Sequence, residues 1–306
     1  MRVLIIARYK NSGYAPFVTE QVEALEQQGL ACQFFPMQGK GFWGYLRQLP
    51  ALLHAIKSFN PNIIHAHYGL CGLFANLQRR VPVVTTYHGS DINNSHILKI
   101  SRLSVRLSAH NIFVSQKNID IVKPLDKYSL IPCGINLSDY PILEKNQARK
   151  QMGLSCNKNY ILFAGAFDNP VKNAALAKAA IAHVLEAELL ELKGYDRQQV
   201  ATLLQAVDAL VMTSKAEGSP QIIKEALACG TPIVSVDVGD VRERLLGLTG
   251  CWVVCNNNEE DLVAAIKNAL AFTRRTDGRQ KILSDNLENT VIANRLIDIY
   301  KSVITQ

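Results

Sequence analysis

"SKAEGSPQIIKEALACGTPIVSV", residues 214–236, reads as one helix held between two strands. The β-branched run "DALVMTS" (208–214) leads into it and "TPIVSV" (231–236) leaves it. Ser219 is placed to cap the helix, and Pro220 suits its first position, where no backbone N–H is needed. Ile222, Ala226 and Cys229 recur at helical spacing, and Gly230 stops the helix before Pro232. Strand, loop, helix and strand in close succession make the repeating unit of a parallel α/β sheet. The helix start offers unpaired N–H groups and a partial positive charge, a seat for an anion such as phosphate. Two acids bracket that seat, Glu217 just outside the helix and Glu225 about two turns in. An acid beside an anion seat is costly unless it also meets something neutral or cationic, such as a sugar. The plainer reading of this fragment alone is a capped helix with two exposed acids.

Outward from this stretch the same alternation continues. Strands are predicted at 2–7, 31–35, 62–67, 81–87, 111–115 and 128–132. After a polar break, "EKNQARKQMGLSCNKN", they resume at 160–165, 187–192, 208–214, 231–236 and 251–255. The runs are near-continuously apolar, as parallel strands covered on both faces must be. The pattern predicts two doubly wound α/β domains: 1–140, then 141–285, with 286–306 as a final helix returning toward the first domain. Ligands in such folds bind beyond the carboxyl ends of the strands. There the sequence places Gly13, His65, His67, His88, Lys172 and Glu217, aiming both domains at a central cleft. His65 and His67 are read as pointing to opposite faces of the third strand, so that at most one sees the cleft.

Composition bounds the function. The chain has 306 residues, 48% hydrophobic and 19% charged, the balance of a soluble globular protein. No apolar run approaches the ~20 residues that span a bilayer. The five apolar residues between Arg2 and Arg8 are too few for a signal peptide and right for a buried strand. Seven scattered cysteines, with Cys251 and Cys255 lacking a second ligand pair, suggest reduced thiols in a cytoplasmic protein and not a zinc site. Residues 1–140 carry 14 Lys/Arg against 7 Asp/Glu, whereas 141–306 carry 19 against 19, so the net +7 sits in the first half. That asymmetry points to an anionic surface or substrate.

With these residues in view, the sequence resembles the family-4 retaining glycosyltransferases of the GT-B fold. Its Glu-x7-Glu pair runs on into Ala-Leu-Ala-Cys-Gly-Thr-Pro. The motifs "NIIHAHYG", "VVTTYHGSD", "IPCGINLSDY", "AGAFDNPVKN" and "RLIDIY" occur in the family's order. The resemblance implies an enzyme moving a sugar from a nucleoside-diphosphate sugar to a hydroxyl acceptor, a glycan or lipid-linked molecule, in polysaccharide or glycolipid assembly. Within it, Glu217 and His88 meet the reacting sugar, and Glu225 holds the ribose. The backbone around Gly218, Ser219, Pro220 and Gln221 serves sugar and phosphate. Lys172 neutralises the diphosphate, and Gly13 lets the first loop approach it. No metal or other cofactor is implied, and no nucleic acid. Two features depart from the family. Ala166 stands where an arginine is usual, so one diphosphate contact is either missing or supplied from elsewhere, with Arg8 and Arg242 as candidates. The segment "LELKGYDRQQV" is short, which leaves UDP and GDP open as donor bases.

Two other readings compete with this one. A nicotinamide oxidoreductase would need Gly-x-Gly-x-x-Gly after the first strand, and "ARYKNSGYAPF" lacks it. A non-catalytic relative binding at a membrane would explain Ala166, yet Glu217, Glu225 and Lys172 are all present. In "ILKISRLSVRLSAHNI" the cations Lys99, Arg102 and Arg106 form one stripe, a candidate contact with an anionic membrane face. Ile100, Leu103 and Leu107 form the neighbouring apolar stripe expected to dock on the sheet. Phe42, Trp43, Tyr45 and the leucines after them are read as an acceptor or membrane face, a lid, or core.

Overall fold

A computed structural model describes residues 1–10, 13–39, 41–124, 126–255 and 258–305. The chain divides into two units, Met1–Ile135 with Leu287–Gln306, and Asn136–Asn286.

In the first unit strands and helices alternate: β1 (Arg2–Arg8), α1 (Pro16–Gln27), β2 (Ala31–Met37), α2 (Gly41–Leu46), α3 (Leu49–Phe59), β3 (Ile63–His67), α4 (Gly69–Asn76), β4 (Val83–Tyr87), α5 (Ser95–Leu107), β5 (His110–Phe113), α6 (Gln116–Val122) and β6 (Tyr128–Leu130). The second unit follows with a 3-10 turn (Leu137–Asp139), α7 (Lys145–Gln151), β7 (Asn159–Phe163), α8 (Ala174–Ala182), β8 (Ala187–Glu191), α9 (Arg197–Ala206), β9 (Ala209–Met212), α10 (Gln221–Cys229), β10 (Ile233–Val236), α11 (Val241–Leu245), β11 (Cys251–Val254), α12 (Glu259–Ala271) and α13 (Gly278–Ser284). The last helix, α14 (Asn289–Ile304), rejoins the first unit.

Among the described residues the first sheet has the order β2-β1-β3-β4-β5-β6 and the second β11-β10-β9-β7-β8, with all pairs parallel. Each order reverses once, between β1 and β3 and between β7 and β9. A crevice opens at the carboxyl ends of strands flanking such a reversal. The loops that leave β1, β7 and β9 carry Gly13, Lys172 and Glu217. Strands β3, β4 and β9 are buried along their whole length, because helices cover both faces.

The cores follow the apolar pattern. Val3, Ile5, Val18, Val22 and Leu25 pack with Ile292, Leu296 and Tyr300 of α14, while Ile161, Val211, Val234 and Ile266 centre the second unit. Tyr45, Leu52 and Ile56 join a third cluster around Phe74, so most of that aromatic and leucine run is core. Trp43 stays 74% exposed, and the Phe42 side chain lies outside the described residues. The segment "NLSDY" goes with the second unit, because Arg279 donates to the carbonyls of Leu137 (2.9 Å) and Tyr140 (2.7 Å).

The expectation for α5 fails. Its buried face is Ser101 and Ser104, not Ile100, Leu103 and Leu107, and Leu103 is 46% exposed. The reason is the partner helix: a Cβ on Gly69 would stand 2.1 Å from Ser101 Oγ, and one on Gly72 would stand 2.4 Å from Ser104 Oγ. α5 lies so close to α4 that only small side chains fit between them.

Candidate active site

In the second unit the site is the loop that leaves β9, together with the loop that leaves β7. Lys172 Nζ donates to Glu217 Oε1 at 2.7 Å, both side chains being half-buried. The lysine stem lies over Gly165, where a Cβ would come within 2.8 Å of Lys172 Cγ. Thr213 Oγ1 donates to the carbonyls of Lys172 (3.1 Å) and Asn173 (2.9 Å), tying the two loops together. The Glu217–Gly218 peptide rests on Gly239, whose φ of +55° and whose missing Cβ, 2.3 Å from the Gly218 carbonyl oxygen, both demand glycine.

Ser219 does not cap the helix. α10 begins at Gln221 with Pro220 as the N-cap residue, and no side chain caps it. The Ser219 hydroxyl instead donates to Asp240 Oδ2 at 2.7 Å. Asp240 also accepts from Arg244 at 3.1 Å, and Arg244 pairs with Asp285 at 2.6 Å. These charges lock the Gly218–Pro220 backbone against α11. Gln221 Oε1 accepts from the fully buried Lys224 at 3.3 Å.

Glu225 is the fifth residue of α10, little more than one turn from its start and not two. Burial pushes its carboxyl above the usual carboxylate range, while Arg197 and a hydrogen bond from the Tyr140 hydroxyl pull it down. Arg197 Nη2 in turn donates to Tyr140 Oη at 3.0 Å. Tyr140 stands in the "IPCGINLSDY" motif, but the sequence gives no sign that it meets a residue 85 positions away.

Ala166 uses its carbonyl to accept from the Asn169 amide and supplies no cation. Of the proposed substitutes, Arg242 is bound to Asp237 Oδ2 (2.7 Å) and Cys255 Sγ (3.1 Å). Arg8 lines a cavity of about 640 Å³ within the first unit.

That cavity opens at the end of β1. Gly13, Tyr14, Tyr45, Tyr68 and Cys71 line it, with Arg8, Lys10 and Asp91 as its charged groups. Gly13, at φ +97°, exchanges backbone hydrogen bonds with Lys10, so the loop needs glycine for its conformation. Asp91, 4% exposed, accepts from the backbone N–H groups of Gly69 (2.8 Å), His88 (3.0 Å) and Gly89 (3.1 Å). Burial raises its pKa from 3.8 to about 6 against those bonds. Among the described residues no group of three His, Cys, Asp or Glu is gathered that could hold a metal ion.

His65 and His67 lie on the same face of β3, with ring centroids 4.6 Å apart, because residues two apart on a strand share a face. The reading that set them on opposite faces is therefore corrected. His67 Nδ1 meets His88 Nε2 at 3.0 Å, and His88 Nδ1 faces Cys133 Sγ at 3.6 Å.

Two sheets with these loops at their reversal points define the GT-B class of two Rossmann-like domains. Residues 13–139 match the model described as Glycosyltransferase Family 4, and residues 160–271 match that of Glycosyl transferases group 1. The chain belongs to this family. It is 26% identical over 247 residues to a protein named as a teichuronic acid biosynthesis glycosyltransferase, TuaC, of Bacillus subtilis (strain 168), covering 67% of this chain and 61% of that one. It is also 26% identical over 259 residues to the amylovoran biosynthesis glycosyltransferase AmsK of Erwinia amylovora, covering 71% and 64%. The chain thus spans about three fifths of the length of the curated relatives it matches. Its fold matches sucrose-phosphate synthase from Thermosynechococcus elongatus with a TM-score of 0.88 at 17% identity, over 100% of this chain and 99% of that one. It matches Anabaena Alr3699/HepE, solved in complex with UDP-glucose, with a TM-score of 0.76 at 17% identity, over 99% and 100%.

Proposed function

We propose that this protein is a retaining glycosyltransferase that moves a sugar from a nucleoside-diphosphate donor to a hydroxyl on a glycan or lipid-linked acceptor, in polysaccharide or glycolipid assembly. The observation that carries the reading is the Lys172–Glu217 ion pair at the start of α10. A cation and a carboxylate poised beside a helix N-terminus match the two halves of a sugar diphosphate. The names of TuaC and AmsK and the UDP-glucose complex of Alr3699/HepE support the substrate class.

The leaving group carries the charge to be stabilised. Lys172 turns from Glu217 to the diphosphate, which the N–H groups of Gly218, Ser219 and Gln221 also meet. Glu217, released, orients the sugar hydroxyls, and Glu225 takes the ribose hydroxyls within the frame of Tyr140 and Arg197. The acceptor hydroxyl attacks from the face that the diphosphate leaves, and the departing phosphate oxygen takes its proton. In this reading Lys172 and the helix start do the work of a divalent metal.

Among the described residues no helix is long and apolar enough to cross a membrane. A peripheral contact is proposed through α5. With its serines docked on α4, its outer face sets the exposed Leu103 beside Lys99, Arg102 and Arg106. Each cation near an anionic surface is worth ~1 kcal/mol, so binding is reversible and weakens with salt.

The test is a thermal-shift screen of UDP, GDP, ADP and their sugar derivatives, followed by a nucleotide-release assay. A ligand at 100 times its Kd should add roughly 2.7 kcal/mol of stability. No shift with any nucleotide would reject the reading.

A further inference from the structure

We infer that His67 is a positioning residue: it donates from Nδ1 to Nε2 of His88, fixes the His88 proton on Nδ1, and presents His88 to a ligand oxygen as a hydrogen-bond donor. The inference rests on the proposed transferase reading, with His88 at the reacting sugar as the family resemblance implies, and adds the residue that sets its chemistry.

The rings of His65, His67 and His88 form a stack, with centroids 4.6 and 5.3 Å apart and planes within 22° and 18°. Both ends are held. His65 meets Tyr300 Oη through Nδ1 at 2.5 Å and Thr86 Oγ1 through Nε2 at 2.7 Å. Phe17 and Tyr68 flank the His88 ring at 4.7 and 4.8 Å, and Asp91 holds its backbone N–H.

In the contact between His67 Nδ1 and His88 Nε2, one ring donates and the other accepts, since a neutral imidazole has one site of each kind. The two assignments differ at His67 Nε2, which is buried and has no hydrogen-bond partner among the described residues. Were His67 to accept at Nδ1, its own proton would sit on Nε2 as an orphaned buried donor, the rarer and costlier case. With His67 as donor, Nε2 keeps only a bare lone pair. Burial lowers the His67 pKa to about 3, so the ring is neutral and does not carry both protons. His88 therefore accepts at Nε2 and is protonated at Nδ1. That N–H faces Cys133 Sγ, a weak sulfur acceptor which a ligand hydroxyl or phosphate oxygen can replace. Both His88 nitrogens are committed, and the ring is a donor and not a base.

The experiment is 15N–1H correlation of histidine ring nitrogens in the labelled full chain at neutral pH. A protonated Nδ1 and bare Nε2 on both His67 and His88 is the expected result, and a proton on His88 Nε2 overturns the inference. His67→Phe keeps the stack without the donor, and His67→Asn restores an N–H at the same distance from the backbone. With a nucleotide sugar that the wild type turns over, kcat/KM should fall about tenfold in the phenylalanine variant and recover to within about threefold in the asparagine one. An unchanged kcat/KM in His67→Phe overturns the functional part. A correct tautomer in a chain that turns over no nucleotide sugar upholds the placement by His67 and sinks the transferase reading, so the two failures are told apart.

Discussion

Acidification from about pH 7.5 to about pH 5 should destabilise the wild-type protein through His67 more than through any surface histidine. In the unfolded chain this imidazole takes a proton near 6.5, and in the folded protein burial holds it off until about 3. Between those values the unfolded state binds a proton that the native state refuses. Stability therefore falls as pH drops through 6.5 and stops falling near 3. Integrated from about pH 7.5 to about pH 5, the loss is about 2 kcal/mol. Asp91 works in the opposite direction. Its carboxyl, raised from 3.8 to about 6, takes up a proton first in the folded state, which returns about 1.4 kcal/mol over the same window. The wild-type curve alone would thus understate His67. His67→Phe removes one contribution and leaves the other, and His65, pushed down by the same burial, is present in both proteins. Urea unfolding of the two proteins across the range should show the variant gaining about 2 kcal/mol on the wild type at the acid end. Curves that stay parallel within about 0.5 kcal/mol would refute the claim that His67 is buried and neutral.

Glu217→Gln should lower kcat more than donor affinity, and a kcat within about threefold of wild type would place the residue away from the reacting centre. Glu225→Ala should weaken donor binding by roughly 1.5–3 kcal/mol in calorimetry, with Tyr140→Phe a smaller copy of the same effect; unchanged affinity in a folded Glu225→Ala protein rejects the ribose role. Gly239→Ala places a methyl group against the Gly218 carbonyl in a left-handed backbone, so a loss of about 1–3 kcal/mol in stability and weaker donor binding are expected together. Replacing Lys99, Arg102 and Arg106 with Ser should abolish sedimentation with anionic vesicles while donor binding is retained. A wild type that does not sediment at low salt removes the membrane proposal.

The sheets were legible because their strands are apolar on both faces, and even "NIIHAH" reads as a strand despite two histidines. The Glu217 loop was legible because glycine, proline and helix periodicity mark it locally. What escaped was set by distance or by geometry. Tyr140 and Arg197 reach Glu225 from other elements, and no local pattern ties them to it. Asp240 takes Ser219 from the cap it was expected to fill. The buried face of α5 is polar, because Gly69 and Gly72 bring a neighbouring backbone too close for leucine; the rule that apolar residues face inward fails there. His65 and His67 needed only the two-residue period of a strand, correctly applied.

The first unit is built from two pieces of chain, and α14 is the later one. On a ribosome, Asn136–Asn286 has emerged before Tyr300 exists to fill its place beside His65. Until then Val18, Val22 and Leu25 of α1 lack the helix that covers them. The second unit has all its strands in one continuous segment and is free to close first. The first unit closes last, so its histidine stack is held at both ends only when residues near 300 are available, and a nascent chain carries an open apolar flank during that interval.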